Sequence, residues 1–142
     1  MSLLLFSHLV FSQAARVDFA KFTAAPEKSE LQEACKTHIQ TMFSVLPLLS
    51  VDRLYIKNEY AFLEGKVNNG VGQEIDFTLY NAGKQGRFLP FKGQEAKALL
   101  KKAAGGWKVL ALVVTPDDLD CVCWWAEYNA PKDLFNYTDY CR

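Results

Sequence analysis

Two residues of this sequence, His38 and Asp76, are candidates for acid–base catalysis. His38 is one of two histidines in the chain. On a helix it would share a face with Leu31, Cys35 and Met42, where an imidazole can act as a general base toward a pocket. Cys35 is an awkward nucleophile for that base, because it lies three residues away on the same helix. The more common role of a histidine in this setting is to complete the edge of a core.

Asp76 is the second catalytic candidate. It lies on the polar face of an alternating segment with Tyr80, and Tyr60 precedes them. A desolvated tyrosine–aspartate pair can polarise a ketone or remove an α-proton. The same alternation is typical of a sheet face in contact with water. The sequence contains no nucleophile elbow, phosphate-binding loop, dinucleotide fingerprint or zinc-protease motif. We therefore expect binding rather than catalysis.

Aromatic residues support a binding hypothesis more directly. Trp124 and Trp125 are adjacent, so they cannot lie on one face of a helix or a strand. One is expected in the core, and the other in an exposed aromatic surface for a partner or a sugar ring. Packing against a satellite core is the alternative. The predicted binding residues are Trp124, Trp125, Tyr128, Trp107, Tyr60 and Tyr80.

The four cysteines allow three disulfide pairings: they are Cys35, Cys121, Cys123 and Cys141. A Cys121–Cys123 bridge is geometrically poor on a regular element, so Cys35 and Cys141 are the expected partners of that pair. Buried free thiols are the alternative. The C-x-C spacing differs from a structural zinc knuckle, and no second pair of ligands follows at a suitable spacing. We predict no metal and no other cofactor.

Composition limits the class of protein. The chain has 142 residues, half of them hydrophobic, as expected for a single globular domain. Sixteen basic residues balance sixteen acidic ones, which argues against a general polyanion binder, and no nucleic-acid partner is expected. No apolar run reaches the ~20 residues of a membrane-spanning helix, so no integral membrane segment is predicted.

The first residues resemble a secretory leader. An apolar segment from Leu3 to Phe11 precedes Ser12-Gln13-Ala14, which has the small–x–small pattern of a signal-peptidase site. No basic residue precedes the apolar segment, and a buried strand or helix is the alternative. We predict a signal peptide over residues 1–14, a single domain over residues 15–142, and a secreted or periplasmic location.

The clearest element is an amphipathic helix that starts after a Ser29 cap and stops at Pro47. Its apolar residues recur at three- and four-residue spacing, which is typical of a helix with one buried face. They are Leu31, Cys35, His38, Met42 and Leu46, flanked by Ala34, Ile39 and Phe43.

Two hairpins are predicted after the helix. The first joins a strand from Arg53 to Val67 with an alternating strand from Glu74 to Tyr80. The second joins Glu95–Lys102, whose composition also suits a helix, to the strand Trp107–Val114 through Gly105-Gly106. Residues 81–93 are predicted as a loop.

A short helix is predicted near the C-terminus. Thr115-Pro116-Asp117 is a favourable helix start, and Asn129-Ala130-Pro131 ends the element. A strand from Cys121 to Tyr128 is the alternative. The predicted fold is α+β, with a long N-terminal helix packed on a curved antiparallel sheet of about four strands and a short C-terminal helix.

This order of elements, with Gly105-Gly106-Trp107-Lys108-Val109 opening an apolar strand, resembles the nuclear transport factor two-like and cystatin-like group of α+β folds. The resemblance covers roughly residues 29–128. It implies a cone between the helix and a curved sheet that binds or isomerises small apolar molecules, or a domain that mediates association. It identifies no catalytic residues.

Two functions follow as expectations. The first is an exported, non-catalytic domain that binds a small apolar molecule, a glycan or a protein partner. The second is a small acid–base isomerase or dehydratase that uses the helix–sheet cavity with Asp76, His38 or a tyrosine.

Overall fold

The chain has an α+β architecture in which one helix packs against an antiparallel sheet. The helix, α1, spans Pro26–Phe43 and contacts the sheet mainly at its last strand. The computed structural model describes residues 15–18, 26–43, 46–71, 73, 75–76, 92–93, 95–114 and 123–135.

Five antiparallel strands form the main sheet in the order β1-β2-β3-β6-β7. The strands β4 and β5 pair separately with each other. A short helix, α2, spans Trp124–Glu127, and a 3-10 helix spans Lys132–Leu134. The strands are β1 Ala15–Asp18, β2 Leu48–Lys57, β3 Tyr60–Asn68, β4 Ile75–Asp76, β5 Lys92–Gly93, β6 Glu95–Ala103 and β7 Gly106–Val114.

The helix α1 starts and ends earlier than the sequence predicted. It starts at Pro26 rather than after Ser29, because proline fits the first turn, where no backbone N–H is required. It ends at Phe43, and Leu46, which was expected on the buried face, is 71% exposed. The residues that α1 buries are Leu31, Cys35 and Ile39. This four-residue spacing turns one stripe of the helix toward the sheet.

The predicted strand Arg53–Val67 is in fact two strands joined by a tight turn. Asn58 and Glu59 form this turn with φ angles of 49° and 65°. Two central residues with positive φ match the twist of a two-residue hairpin. The prediction missed the turn because Glu59 is not a residue type that marks one. The strand β3 therefore pairs with β2 and β6, and Ile75–Asp76 pairs with Lys92–Gly93 instead.

The second predicted hairpin is confirmed. Strands β6 and β7 pair from Ala96↔Val114 to Ala103↔Gly106. Gly106 has a φ of 110°, a conformation that glycine adopts without strain. The helical propensity of Glu95–Lys102 is overridden because the segment lies between two strands and is buried over most of its length.

A β-bulge interrupts each of two strands. In β2, Val51 pairs with Gly65 and Arg53 with Glu64, so Asp52 is the additional residue. In β7, Val109 pairs with Leu100 and Ala111 with Leu99, so Leu110 is the additional residue. A bulge bends its strand and increases the local twist.

Side chains pack on both faces of the main sheet. The face toward α1 is filled by apolar residues from the helix and from four strands, with Trp107 at the start of β7. The buried residues of this helix-side core are Leu31, Cys35, Ile39, Leu49, Leu54, Ala61, Leu63, Val67, Ala96, Ala98, Leu100, Trp107, Leu112 and Val114.

The C-terminal segment, residues 123–135, covers the opposite face. Its buried residues meet those of the sheet in what we call the aromatic cluster. Phe62 lies within it, with its ring centroid 4.8 Å from that of Phe135 and 6.4 Å from that of Trp124. The cluster consists of Tyr55, Tyr60, Phe62, Leu99, Trp124, Ala130, Leu134 and Phe135.

Polar contacts hold the C-terminal segment in place. Lys57 forms an ion pair with Asp133, and the Tyr60 hydroxyl donates a hydrogen bond to the Tyr128 carbonyl at 3.1 Å. Cys123 is disulfide-bonded. The helix in this segment has four residues, and the predicted helix start at Thr115 lies outside the described residues, as does the predicted signal peptide.

Candidate functional site

An open groove of about 870 Å³ lies between α1 and β7. We call it the α1–β7 groove. One wall is a row of exposed and half-buried residues of α1, next to the row that the helix buries against the sheet. The other wall is the first half of β7 with the turn before it. The lining residues are Glu30, Glu33, Ala34, Thr37, His38, Thr41, Gly105, Gly106, Trp107, Lys108 and Val109.

The β7 wall of the groove is formed by backbone as well as side chains. Five consecutive residues, 105–109, line it. Successive side chains of a strand point to opposite faces of the sheet, so only the backbone at the strand edge is common to all five positions. The strand β7 is the last in the sheet, and no strand among the described residues pairs with its outer edge. The groove therefore runs along a strand edge.

The two walls have similar lengths. The helical wall extends from Glu30 to Thr41, which spans about 16 Å at the rise of an α-helix. The β7 wall, Gly106–Val109 with the turn residue Gly105 before it, spans about 13 Å at the rise of a strand. The groove has the length of a short extended peptide.

Charged and polar groups edge the groove. Glu30 and Glu33 lie on the helical wall, and the Glu33 carboxylate pairs with the Lys36 ammonium at 2.8 Å. Lys108 is exposed on the β7 wall. The walls thus carry both signs of charge, and Ala34 and Val109 add apolar surface to the lining.

His38, the first catalytic candidate, lies in the α1–β7 groove. Burial lowers the pKa of its imidazole from the ordinary 6.5, because a desolvated cation is disfavoured. No described residue donates a hydrogen bond to the ring or accepts one from it. A catalytic histidine usually has a partner that fixes its tautomer and orientation, and the described part of the chain supplies none for His38.

Cys35 lies one turn before His38 on α1 and is a free, buried thiol. The expectation that Cys35 forms a disulfide is wrong, because its side chain points into the helix-side core. Burial raises the pKa of this thiol from 9.0 to about 12. Because the thiolate is the nucleophilic form, Cys35 and His38 do not form a nucleophile–base pair.

The Cys35 pKa predicts a loss of stability at alkaline pH. Below pH 9 the thiol is neutral in both states; above pH 9 the unfolded chain ionises while the folded chain stays neutral up to about pH 12. The free energy of unfolding should therefore fall by roughly 1.4 kcal/mol per pH unit above pH 9. Urea titrations at pH 8 and 10.5, with Cys35→Ala as the control, measure this loss. An equal alkaline loss in the variant would contradict the assignment.

Most predicted aromatic binding residues belong to the aromatic cluster or its border. Trp124 is 6% exposed and Tyr60 is also buried, so both are core residues. Trp125 and Tyr128 are half-buried, and the Lys132 ammonium lies 4.9 Å from the centre of the Trp125 ring. A role of these residues in binding stays a prediction.

The other predicted residues are separated from that cluster. Trp107 lies on the opposite face of the sheet, 8% exposed, where it lines the α1–β7 groove. Asp76 is in β4, which belongs to the smaller sheet, and its side chain lies outside the described part of the structure. Tyr80 lies outside the described residues. The structure thus groups His38 with Trp107, a combination that the sequence did not predict.

A second depression, of about 390 Å³, is lined by charged residues of both signs near the β2 bulge. The Arg53 guanidinium lies 3.6 Å from the Glu64 carboxylate, and Lys97 is buried beside them and has an interaction partner. The lining has three carboxylates and two cations, and the Arg53–Glu64 pair neutralises one charge of each sign.

Sequence reasoning missed Thr37, Thr41 and Lys108 as groove residues. Polar residues are typical of any helix or strand face in contact with water. Nothing in the sequence therefore distinguishes these three residues from other exposed polar residues. The row of polar α1 residues forms one wall of a groove only because β7, which forms the other wall, is the end strand of the sheet.

Within the described ranges, no helix is long and apolar enough to cross a membrane, and no three acidic, histidine or cysteine side chains are grouped to hold a metal ion. Comparison with known proteins found no matching family model, no matching curated protein and no matching solved structure.

Proposed function

We propose that this chain is a non-catalytic binding domain and that the α1–β7 groove is its binding site. The observation that carries the proposal is the position of the groove, which lies between a helix and an edge strand. Its volume is within the range of ligand-binding clefts, and its lining combines apolar and polar groups.

The filled faces of the sheet favour binding over catalysis. An isomerase or dehydratase of the kind considered above needs an enclosed cavity between helix and sheet. That space is filled by core residues such as Ile39 and Leu100, each 0% exposed. Cys35 is a neutral thiol, and His38 has no described partner, so the groove lacks a coupled pair of catalytic groups.

A binding screen on ¹⁵N-labelled protein tests the proposal. The probes are a library of small organic fragments and a pool of random pentapeptides. We expect the amide signals that shift to belong to the groove, with Thr37, Gly106 and Lys108 among them. Shifts confined to Trp125 and Tyr128 would favour the aromatic surface instead and would overturn the proposal.

A pair of helix variants separates groove binding from general surface binding. Thr37 and Gln40 are both exposed on α1, but only Thr37 lines the groove. Thr37→Trp is expected to fill the groove and to weaken binding of the fragments and peptides identified by NMR by at least about tenfold, which is about 1.4 kcal/mol. Gln40→Trp should leave the affinity unchanged. Equal losses in both variants would contradict a site in the groove.

The location of the protein is the next part of the proposal. We propose that the chain is exported and cleaved after Ala14, which would leave β1 whole from Ala15 onward. The Cys123 disulfide supports an oxidising compartment. N-terminal sequencing of the secreted product should begin at Ala15, and retention of Met1 would contradict this.

We also propose that the sheet curves around α1, as the resemblance to the nuclear transport factor two-like and cystatin-like group implies. The bulges at Asp52 and Leu110 support this curvature, because bulges bend the strands that contain them. A flat sheet in a crystal structure would contradict it.

A further inference from the structure

We infer that the ligand of the α1–β7 groove is an extended polypeptide segment of about five residues that adds to the edge of β7 as a further strand. This inference rests on the proposed function, since it names the class of molecule that the groove binds. It predicts backbone hydrogen bonds between the ligand and β7, with side chains of the ligand lying against α1.

The edge of β7 provides the first argument. An edge strand presents backbone N–H and C=O groups that no neighbouring strand satisfies, and β7 is at the end of the sheet among the described residues. Natural edge strands are often protected by charged side chains, lysine above all, and by bulges. In β7 these features are Lys108 and the bulge at Leu110, so the part of the strand before Leu110 is protected by one lysine alone.

The shape of the groove provides the second argument. The groove is open rather than enclosed, and its helical wall spans about 16 Å, so an extended chain can lie along it. An added strand places alternate side chains on the helix side of the sheet. There they would meet Ala34, His38 and Thr41, which follow one another along the helical wall.

The bulge in β7 favours a peptide over a second copy of this chain. Two β7 strands paired symmetrically along their whole length would have their twofold axis at Leu110, the midpoint of Gly106–Val114. Leu110 is the bulged residue, and a bulge disrupts regular pairing. A peptide that pairs with the residues before Leu110 avoids this irregularity.

Two experiments test the inference, and in each the effect is expected at every second residue. The probe is a synthetic peptide selected from a random heptapeptide phage library, with the Thr37→Trp variant used to remove peptides that bind elsewhere. Methylation of backbone nitrogens, one position at a time, should weaken binding by about tenfold or more at every second residue of the peptide and by less than about threefold between them. Side-chain recognition alone would not produce this alternation.

Hydrogen exchange of the backbone amides of β7 measures the same pairing on the protein side. Backbone N–H groups that point outward from β7 are expected to exchange quickly in the free protein and to be protected by the peptide. The protection should appear at alternate residues before Leu110, in the wild type and in Gln40→Trp alike. The amides of β3, in the middle of the sheet, should be unaffected and provide the internal control.

Three outcomes would overturn the inference. The first is a failure of the library to yield a peptide that distinguishes the wild type from Thr37→Trp. The second is a selected peptide that tolerates methylation at every position. The third is alternate protection of β7 that appears without peptide and grows with protein concentration, which would identify a second copy as the occupant. If fragments bind the groove while peptides fail, the proposed function stands and only this inference falls.

Discussion

Replacing Phe62 by alanine is expected to lower the free energy of unfolding by about 4 kcal/mol. The Phe62 side chain is 2% exposed at the centre of the aromatic cluster. It contacts rings from the sheet and from the C-terminal segment, with Tyr55 stacked at 6.4 Å and Phe135 tilted at 4.8 Å. The variant therefore loses apolar burial and leaves a cavity between two parts of the chain that are distant in sequence.

The loss should be measured by urea denaturation, with Leu63→Ala as the matched control. Leu63 is the next residue of β3 and is equally buried, but it faces α1. Both variants should be destabilised, since each removes a core side chain. They should differ in the indole N–H signals of the tryptophans, because Phe62→Ala perturbs Trp124 whereas Leu63→Ala perturbs the opposite face. The same indole signals shifting in both variants would refute the assignment of two separate cores.

Replacing Gly65 by alanine is expected to cost about 3 kcal/mol. A Cβ atom at Gly65 would lie 2.2 Å from the backbone carbonyl oxygen of Ser50. That oxygen belongs to β2 just before the bulge at Asp52, and it cannot move without moving the strand. The substitution therefore requires β2 and β3 to separate or the bulge to rearrange, and either change weakens the centre of the sheet.

Two glycines of the β6–β7 turn are the controls for this variant. At Gly105 a Cβ atom would meet no heavy atom within 4 Å, so Gly105→Ala should change the stability by less than about 0.5 kcal/mol. At Gly106 there is also space, but the φ of 110° makes alanine unfavourable by about 1 kcal/mol. Thermal or urea denaturation should rank the variants Gly105, Gly106, Gly65 in order of increasing loss. A Gly65→Ala variant as stable as Gly105→Ala would show that β2 does not approach β3 closely at the bulge.

Local patterns were sufficient to predict part of the fold. The three- and four-residue spacing that begins with Leu31 and Cys35 predicts a helix with one buried face. Both residues are buried, as is the flanking Ile39, whereas Leu46 at the end of the predicted stripe is exposed. The apolar run after Gly105-Gly106 predicts a strand, and β7 is one. Such predictions succeed because helix and strand periods determine which side chains share a face.

Long-range pairing could not be predicted in the same way. The division of Arg53–Val67 at Asn58 and Glu59 makes β3, which begins at Tyr60, a partner of β6, which begins 35 positions later at Glu95. Its partner depends on which apolar faces meet once the chain is folded, and many arrangements satisfy the same local pattern. The candidate site depended on the strand order too, since the groove lies beside β7 and β7 is the end strand of the sheet among the described residues.

The amino-acid order alone determined the class of fold, the helix and the final hairpin of the main sheet, because these follow from side-chain periodicity and turn chemistry within short windows. The tertiary structure decided that the tryptophans divide between two faces, that Cys35 is a buried thiol, and that His38 lies beside an edge strand. Each of these depends on contacts between segments far apart in sequence. A short window of sequence contains only one partner of such a contact, so local patterns do not reveal it.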